Sequence, residues 1–395
     1  MKKLLFLHHY NSSVGAGLSF LHILQSLSKE DLDITVCIPK IAGDLDAKIK
    51  AMGISVIYSQ SVVPYMHFNG SDMRFLSRRN AKNMCAVRKA KTGVKELIES
   101  VNPDIVAVNS LTLFWVGRIA KECKKKSVCF HRETYDKGWF GYRTSKMKKE
   151  LSQYFDRVVF LSNYDINETP KGCGDYVRIT DKVDVVKYEK LNQADCRQQL
   201  DLPQNTKLIL YAGGVAKLKG PHILLKALAK CKDEDCKLVF LQYQFQRKTG
   251  KQRLKYIIKA LLGKNLEYRL LKIIDKHKLQ EKIIFRPPTD KVEQYFVACD
   301  VVVFPSTKAH QARPAYEAGI AKKPIILTDF DNTREFVDER NGWLFKNKDF
   351  KDLAKCIKDA LRGNPIKVQA NYEKSLKDNN LSDLPRELSK LIKEL

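Results

Sequence analysis

The chain has 395 residues, of which 71 are Lys or Arg and 45 are Asp or Glu, giving a formal net charge of +26 at pH 7. This length exceeds that of one ordinary domain, and a hydrophobic content of 44% argues against intrinsic disorder. So high a positive charge favours an anionic partner, which would be a nucleic acid, a phospholipid surface or a phosphorylated substrate. The ten cysteines are scattered without a CxxC pair, which favours a reducing cytosol over a disulfide framework or a zinc site.

Neither the start of the chain nor its longest apolar run predicts a leader or a membrane span. The N-terminal MKKLLFLHHYNSS has only four apolar residues before His8, too short an apolar core for a signal peptide. The longest apolar run, residues 105–120, is interrupted by Asn109, Ser110 and Arg118. We expect a soluble protein, or one that at most lies on a membrane.

Short apolar segments alternate with helical patterns along the chain. The expected strands are KLLFLHHY, DITVCIP, ISVIYS, DIVAVNS, KSVCFHRE and RVVFLS in the first half, and KLILYAGG, CKLVFLQY, KIIFRPP, VVVFPS and PIILTDF in the second. Near-continuous apolar strands between amphipathic helices indicate parallel sheets covered on both faces. The sequence therefore predicts an α/β protein with two doubly wound, Rossmann-like domains.

Polar segments set the expected boundaries. We expect an N-terminal domain over residues 1–188, a linker over 189–204, a C-terminal domain over 205–365 and a crossover region over 366–395. The linker segment is polar and contains a proline, and the crossover region ends in a basic amphipathic helix. Doubly wound sheets bind ligands beyond the carboxyl ends of their strands, so the loops that follow strands are the candidate sites.

The first candidate loop is HHYNSSVGAGLSFL, where Gly15 and Gly17 lie between a strand and a helix. Glycine lets the backbone approach a phosphate, and a helix N-terminus offers free N–H groups. The loop is neither a complete GxGxxG nor a GxxxxGK[ST] motif. A tight turn without a ligand explains it equally well.

The second loop is YAGGVAKLKGPHILLKAL, in which Gly213 and Gly214 turn the chain and Lys219 precedes a helix. The Lys219 ammonium can neutralise a diphosphate, and Lys217 can act as a second cation. The alternative is a pair of solvated lysines at an ordinary helix start.

The third loop, HQARPAYEAG, follows VVVFPS and precedes KPIILTD. His310 and Arg313 come before a helix whose first turn contains Pro314, and Glu317 lies one turn further. In the simplest interpretation Glu317 only offsets the helix dipole.

Taken in order, these segments resemble the GT-B glycosyltransferases of family 4. The likeness rests on GG followed by KG, on DVVVFPS, on the Glu-Ala-Gly helix with KPII, and on TDFDNTREFVDERNGWLF. It covers essentially the whole chain and is strongest from Asn205 to Ala360. The resemblance implies two Rossmann-like domains facing across a cleft, the first on the acceptor side, and a retaining enzyme that uses a nucleotide-sugar donor.

The resemblance also implies roles for individual residues. Lys219 would hold the donor diphosphate, and Glu317, as the second Glu of the family's E-x7-E, would bind ribose hydroxyls. The remaining implied contacts are Gly15 and Gly17 with the diphosphate, Gly213 and Gly214 with the donor, His131 of CFHRE with the transferred sugar, and Glu335 with the nucleotide.

Two positions depart from the family pattern. The first Glu of E-x7-E would fall at Ala309, and the arginine that often follows the donor-loop glycine would fall at Gly214. We expect His310 and Arg313 to supply the missing polar contacts, since a guanidinium can bind two oxygens at once. The departures leave the sugar preference open, and also leave open a catalytically inactive scaffold.

The expected chemistry follows from charge. Breaking the anomeric C–O bond leaves a nucleoside diphosphate that carries extra negative charge. We expect Lys219, Arg313 or Lys217, and helix N-terminal amides to stabilise it without a metal or a cofactor. The resemblance implies front-face attack, and His131, Lys219 and Arg313 are the catalytic candidates.

Positive charge is concentrated in residues 72–95, 137–149 and 246–282, which contain eight, five and twelve Lys and Arg against one, none and three acids. Cations interleaved with aromatic residues suit an anionic bilayer or stacked bases. The third stretch predicts an extra helical hairpin over 251–278, to which no role is assigned.

With the resemblance, this charge predicts a cytoplasmic enzyme, peripheral on the inner face of a bacterial-type membrane, with an anionic membrane surface as a partner. Its acceptor would be a polysaccharide or a polyprenyl-diphosphate-linked glycan in surface glycan synthesis. A basic nucleic-acid-binding protein is the alternative. No helix-turn-helix, RNP or zinc-finger pattern supports that alternative, and we expect no nucleic-acid partner.

Overall fold

The computed structural model describes residues 1–13, 15–66, 78–135, 141–243, 256, 258, 260 and 265–395. The chain divides into two compact units, one comprising Met1–Lys182 with Leu381–Leu395 and the other Val183–Asn380. Parts of the three basic stretches, including most of the first half of the hairpin expected over 251–278, lie outside the described residues.

The first unit is built on a parallel sheet of seven strands in the order β3-β2-β1-β4-β5-β6-β7. The strands are β1 Lys2–Leu7, β2 Leu32–Ile38, β3 Ser55–Tyr58, β4 Ile105–Val108, β5 Lys126–His131, β6 Arg157–Phe160 and β7 Asp175–Arg178. In β1, Leu5 and Leu7 enter one hydrophobic core while Leu4 and Phe6 enter the other. Because both faces of the sheet are covered, the residues that point to either face are apolar, and the strand is a continuous hydrophobic run.

The helices of the first unit cover the two faces of this sheet. They are α1 Ala16–Leu27, α2 Leu45–Lys50, α3 Arg78–Val101, α4 Val116–Glu122, α5 Tyr142–Tyr154 and α6 Asn163–Asn167, together with a helix from the end of the chain, Leu384–Lys393. That last helix packs on α1. Its Glu387 accepts from the buried Lys182 ammonium at 2.9 Å, and Ser389 donates to Glu30 at 3.1 Å.

The second unit contains a parallel sheet of six strands in the order β10-β9-β8-β11-β12-β13. The strands are β8 Lys207–Tyr211, β9 Cys236–Phe240, β10 Ile283–Phe285, β11 Val301–Phe304, β12 Ile325–Thr328 and β13 Trp343–Phe345. Leu208 and Leu210 enter one core and Ile209 and Tyr211 the other, the same two-sided burial as in β1.

The described helices of the second unit flank its sheet. They are α7 Val185–Glu189, α8 Gln193–Gln199, α9 Pro221–Leu228, α10 Leu266–His277, α11 Val292–Ala298, α12 Arg313–Ile320, α13 Phe350–Arg362 and α14 Pro365–Asn379, and the C-terminal helix of the first unit is α15. The segment expected as a linker, 189–204, contains α8. Arg197 of α8 is buried and donates to Asp300 Oδ2 at 2.6 Å and to the Ala298 carbonyl at 2.8 Å.

The predicted fold class is confirmed, since both units are parallel α/β sheets with Rossmann strand order. In each sheet the order reverses beside the first strand, between β1 and β4 and between β8 and β11. Ligands of such sheets bind at the carboxyl ends of the strands around this point. Among the described residues, no helix is long and apolar enough to cross a membrane.

Candidate functional site

The loop after β8 is a compact turn tied to its own strand. The Tyr211 hydroxyl donates to the carbonyls of Gly214 at 3.0 Å and Lys219 at 3.3 Å. Residues Lys217–Lys219 form a 3₁₀ turn, and Gly220 then takes a φ of +67°. A Cβ on Gly220 would lie 1.8 Å from the Pro305 carbonyl oxygen, so only glycine allows this close approach.

The loop after β11 is bound to the loops on either side of it. The Thr307 amide donates to the Leu218 carbonyl at 2.7 Å, and the Thr328 hydroxyl at the end of β12 donates to the Ser306 carbonyl at 2.7 Å. The loops after β8, β11 and β12 therefore form one hydrogen-bonded edge. The sequence identified the loops after β8 and β11 as separate candidate sites and did not predict the hydrogen bonds that join them.

Lys219 and His310 lie close together at this edge. Burial lowers the pKa of the Lys219 ammonium, and burial followed by the positive charge of Lys219 lowers the pKa of His310 to about 4. His310 is therefore neutral near pH 7, so Lys219 supplies positive charge here and His310 does not. No carboxylate lies within ion-pair distance of Lys219 among the described residues.

Helix α12 begins at Arg313 and brings that side chain to Glu317, one turn later. Arg313 Nε lies 3.1 Å from Glu317 Oε1, and the two side chains are 17% and 14% exposed. The charge of Glu317 also acts on the buried phenol of Tyr188 in α7, whose pKa burial raises. The predicted ribose-binding carboxylate thus already interacts with the guanidinium that was expected to bind the diphosphate.

Small residues set α12 against its neighbours. A Cβ on Gly319 would lie 2.1 Å from Ser375 Oγ of α14, and Asn371 of the same helix donates to the Ala315 carbonyl at 3.3 Å. The small residues after Glu317 let α12 pack closely on its neighbours. At Gly319 they seat it on another helix.

The other predicted donor contacts are distributed around the same edge. Lys217 is exposed, and its charge acts on His222 in α9, whereas that of Lys219 acts on His310. Gly213 is buried beside the Tyr211 ring and Gly214 has a φ of +60°, a conformation in which an arginine would be strained. Glu335 is half-buried, and its carbonyl accepts from Lys374 of α14 at 2.6 Å.

Asn332 belongs to this edge and was not predicted. It is fully buried in the turn after β12, and its Nδ2 donates to the His310 carbonyl at 3.0 Å. Its sequence context, TDFDNTRE, carried the family likeness. His310 and Asn332 are 22 positions apart in the chain, so a local sequence pattern does not show their contact.

In the first unit, the loop after β1 leads directly into α1. Gly15 caps that helix with a φ of 61°, and Gly17 in the first turn packs against the Ser12 carbonyl. Asp44 holds the loop from the side by accepting from the Ser13 amide at 3.0 Å. Hydrogen bonds from Ser13 lower the pKa of the Asp44 carboxyl to about 2.

A second group of polar side chains lies at the ends of β1, β4 and β5. The Asn109 amide lies 3.1 Å from His8 Nδ1, and burial, with the charge of His9, lowers the pKa of His8 to about 3. Glu133 accepts from the Leu111 amide at 2.8 Å and from the Ser110 hydroxyl. Burial raises the pKa of Glu133 despite these bonds.

The catalytic candidate His131 is the last residue of β5 and is fully buried. Its ring packs edge-on against Tyr135, with 4.7 Å between the ring centroids, and is tilted against Phe160, with 4.8 Å between the centroids. The His131 ring therefore has aromatic contacts with two side chains.

Residues 192–379 match the family described as glycosyl transferases group 1. A curated relative, the D-inositol 3-phosphate glycosyltransferase of Xylanimonas cellulosilytica, is 28% identical over 156 residues, which are 39% of this chain and 33% of that protein. The chain spans less than half the length of the curated relatives it matches.

Solved structures are similar over the whole chain. The complex of Anabaena Alr3699/HepE with UDP has a TM-score of 0.75 at 16% identity, and its complex with UDP and glucose has 0.75 at 17%, each covering 100% of both chains. At these identities the likeness shows the fold, which is GT-B. The family match over residues 192–379 adds a similarity to group 1 glycosyltransferases in the second unit.

Proposed function

We propose that the chain is a group 1 glycosyltransferase and that it moves a sugar from a nucleoside-diphosphate sugar to a glycan acceptor with retention of anomeric configuration. The relatives support the reaction class, and the UDP complexes of the structural neighbour support a nucleotide-sugar donor. A UDP-sugar is therefore the first donor to test. Family 4 remains the specific assignment that we propose.

The observation that carries this proposal is the environment of Lys219. An ammonium that loses hydration without gaining a carboxylate is destabilised. A diphosphate bound beside Lys219 would supply the missing negative charge. Perturbed ionisable groups of this kind are typical of functional sites.

The same edge offers further groups to a departing diphosphate. The N-terminus of α12 carries the partial positive charge of the helix dipole, although Pro314 has no N–H group and the Ala315 amide already donates to the Ala312 carbonyl at 2.8 Å. The guanidinium of Arg313 has five N–H groups, and its Nε contacts Glu317. In this proposal Lys219, Arg313 and the positive end of the α12 dipole stabilise the leaving group, and no metal takes part.

The first unit would bind the acceptor and the transferred sugar. The polar groups at its sheet edge include the neutral imidazole of His8 and the carboxamide of Asn109, which suit hydroxyl groups better than phosphates. We propose that His131, at the end of β5, contacts the transferred sugar. A lipid-linked or polysaccharide acceptor in surface glycan synthesis is the acceptor class we propose.

Membrane association is part of the same proposal, with support from α3 and α5. Helix α3 exposes Arg78, Arg79 and Lys82 near Met84, which is 45% exposed. On α5, Tyr142 is 61% exposed. Cations around apolar side chains suit the surface of an anionic bilayer, so we expect flotation with phosphatidylglycerol vesicles and none with phosphatidylcholine.

The deciding experiment is a screen of UDP- and GDP-sugars for release of nucleoside diphosphate, with Lys219→Ala and Lys230→Ala assayed alongside. Lys230 is an exposed residue beyond α9, so its variant removes the same charge away from the site. We expect Lys219→Ala to lower kcat/KM at least about 100-fold, as loss of a preorganised charge donor does, and Lys230→Ala to leave it unchanged. Analysis of the anomeric product by NMR tests retention.

Three results would count against the proposal. If no donor binds, the donor assignment is wrong. If a donor binds without turnover, the chain is a scaffold, in keeping with Ala309 in place of the family's carboxylate. If both lysine variants lose activity equally, Lys219 has no special role.

A further inference from the structure

Four cations act electrostatically on His222 in the first turn of α9. Burial, followed by the charges of Arg269, Lys226, Lys217 and Lys348, lowers the pKa of His222 to about 4. Its Nδ1 is buried and has no hydrogen-bond partner among the described residues. We call these five residues the α9 cluster.

The fold brings the cluster together from four segments. Lys226 lies one helical turn after His222, on the same face of α9. Helix α9 packs against both α10, whose first turn contains Arg269, and α13. The Lys226 ammonium lies 5.7 Å from the ring centroid of Phe350, the first residue of α13, and Lys348 lies two residues before Phe350.

The charges of the cluster are not neutralised within the described residues. None of its four cations forms an ion pair there, and Lys217, Arg269 and Lys348 are exposed. The neighbouring acids have other contacts. Asp349 accepts from the Lys351 and Asp352 amides at the start of α13, and Glu267 accepts from the Tyr243 hydroxyl at 3.0 Å. Four like charges that act on one imidazole repel one another, and although solvent screens the exposed ones, a bound anion would relieve that repulsion.

We propose that the α9 cluster binds a phosphate group, at a site separate from the one that holds the donor diphosphate. The separation follows from the 3₁₀ turn that carries both lysines. Residues two apart in a helical turn lie on different faces, and Lys217 acts on His222 while Lys219 acts on His310. The site would take the phosphate of a second substrate or effector, or the headgroup of an anionic lipid.

His222 gives the site a proton-linked response. Without an anion the imidazole is neutral, and its buried Nδ1 lacks a partner. A phosphate among the four cations would favour the protonated ring, because an opposite charge nearby stabilises the charged form. Phosphate binding should therefore raise the pKa of His222 towards its ordinary value and be tighter at lower pH.

The test uses the full chain and two histidines as local reporters. Imidazole resonances of His222 and His310, assigned with His222→Gln and His310→Gln, are followed by NMR during titrations with inorganic pyrophosphate and with UDP. We expect pyrophosphate to raise the pKa of His222, and Lys226→Ala/Arg269→Ala to weaken that binding about tenfold or more. The matched control, Lys230→Ala/Lys232→Ala, removes two exposed charges of the same unit and should bind as the parent does.

The outcomes separate this site from the donor site. No response at His222, or equal affinity in the two double variants, overturns the phosphate site whatever UDP does. A missing response of His310 to UDP counts against the donor assignment alone. Vesicles identify the source of the phosphate. If recovery with phosphatidylglycerol falls in the cluster variant, the ligand is a lipid headgroup, and if pyrophosphate binding falls while recovery is unchanged, it is a free phosphate compound.

Discussion

The carboxyl edges of the two sheets share one topology and differ in chemistry. The second unit presents Lys219, a cation without a carboxylate partner among the described residues, beside the neutral His310. The first unit presents Glu133, an acid held by the Ser110 hydroxyl and the Leu111 amide. Strand order therefore determines where a loop lies, and the loop residues determine which ligand can bind.

The two edges also treat a partly buried charge differently. Burial shifts the pKa of Glu133 upward and that of Lys219 downward, each towards its neutral form. Glu133 recovers part of the lost hydration from donors within its own unit. Lys219 does not, which is why we expect its partner to be a ligand.

The largest expected effect on stability is that of Gly220→Ala, which breaks the connection between the loops after β8 and β11. The new Cβ would lie 1.8 Å from a backbone oxygen at a φ of +67°, and we expect a loss of roughly 3–5 kcal/mol. Gly363→Ala is the matched control, because Gly363 has a φ of +83° with nothing within 4 Å, and should cost roughly 1 kcal/mol. Equal shifts of the two denaturation midpoints would show that the clash is relieved.

The next largest effect is expected for Glu317→Gln, which removes the carboxylate of α12 from the donor site of the second unit. If Glu317 binds ribose hydroxyls, the donor KM rises about tenfold while kcat changes little, since the lost interaction is a charged acceptor made in the ground state as well. Steady-state kinetics with the preferred donor measure both constants.

Asp338→Asn serves as the control for Glu317→Gln. Asp338 pairs with Arg340, whose side chain is 88% exposed, and its loss should leave both constants within about twofold. A fall in kcat without a change in KM for Glu317→Gln would assign that residue to the transition state instead.

The fold could be predicted from sequence because its signal is local. Runs such as VVVFPS and KPIILTD are continuous apolar strands between helices, and a parallel sheet needs both faces covered. Helix α8 was harder to recognise, since QADCRQQ has the polarity of a linker. What holds it is Arg197, which reaches Asp300 more than 100 residues away, and no local pattern contains that contact.

At the site, the sequence identified candidate residues more readily than it predicted the contacts of their side chains. The i, i+4 spacing of Arg313 and Glu317 was enough to anticipate their ion pair, and yet we expected them to act separately. Lys217 acts on His222 and Lys219 on His310, and this difference depends on a 3₁₀ turn that the spacing KLK does not fix. The contact between His8 and Asn109 joins residues 101 positions apart and required the strand order.

A smaller effect is expected in the first unit, from Glu133→Gln. The folded-state pKa of Glu133 is raised, so its ionised form costs folding free energy as pH rises above the ordinary value for glutamate. Glutamine has no proton to lose and stays neutral, so the variant should show less loss of stability than the parent between pH 4.5 and 7. Denaturant unfolding at the two pH values measures this, and parallel losses in both proteins would mean that the hydrogen bonds fully compensate the charge.

The smallest expected effect is that of Asp44→Asn, beside the loop after β1. The pKa of Asp44 is lowered to about 2 by hydrogen bonds from Ser13 and then Lys48, so its contribution is complete above its ordinary pKa near 3.8 and lost as pH falls towards 2. Since the side chain is 55% exposed, solvent screening limits that contribution to less than about 1 kcal/mol. The stability difference between parent and variant should therefore shrink between pH 7 and pH 2.5. If 1 M NaCl removes it at pH 7, the ion pair with Lys48 is responsible, whereas a difference that persists in salt belongs to the hydrogen bonds from Ser13 that hold this loop at the start of α1.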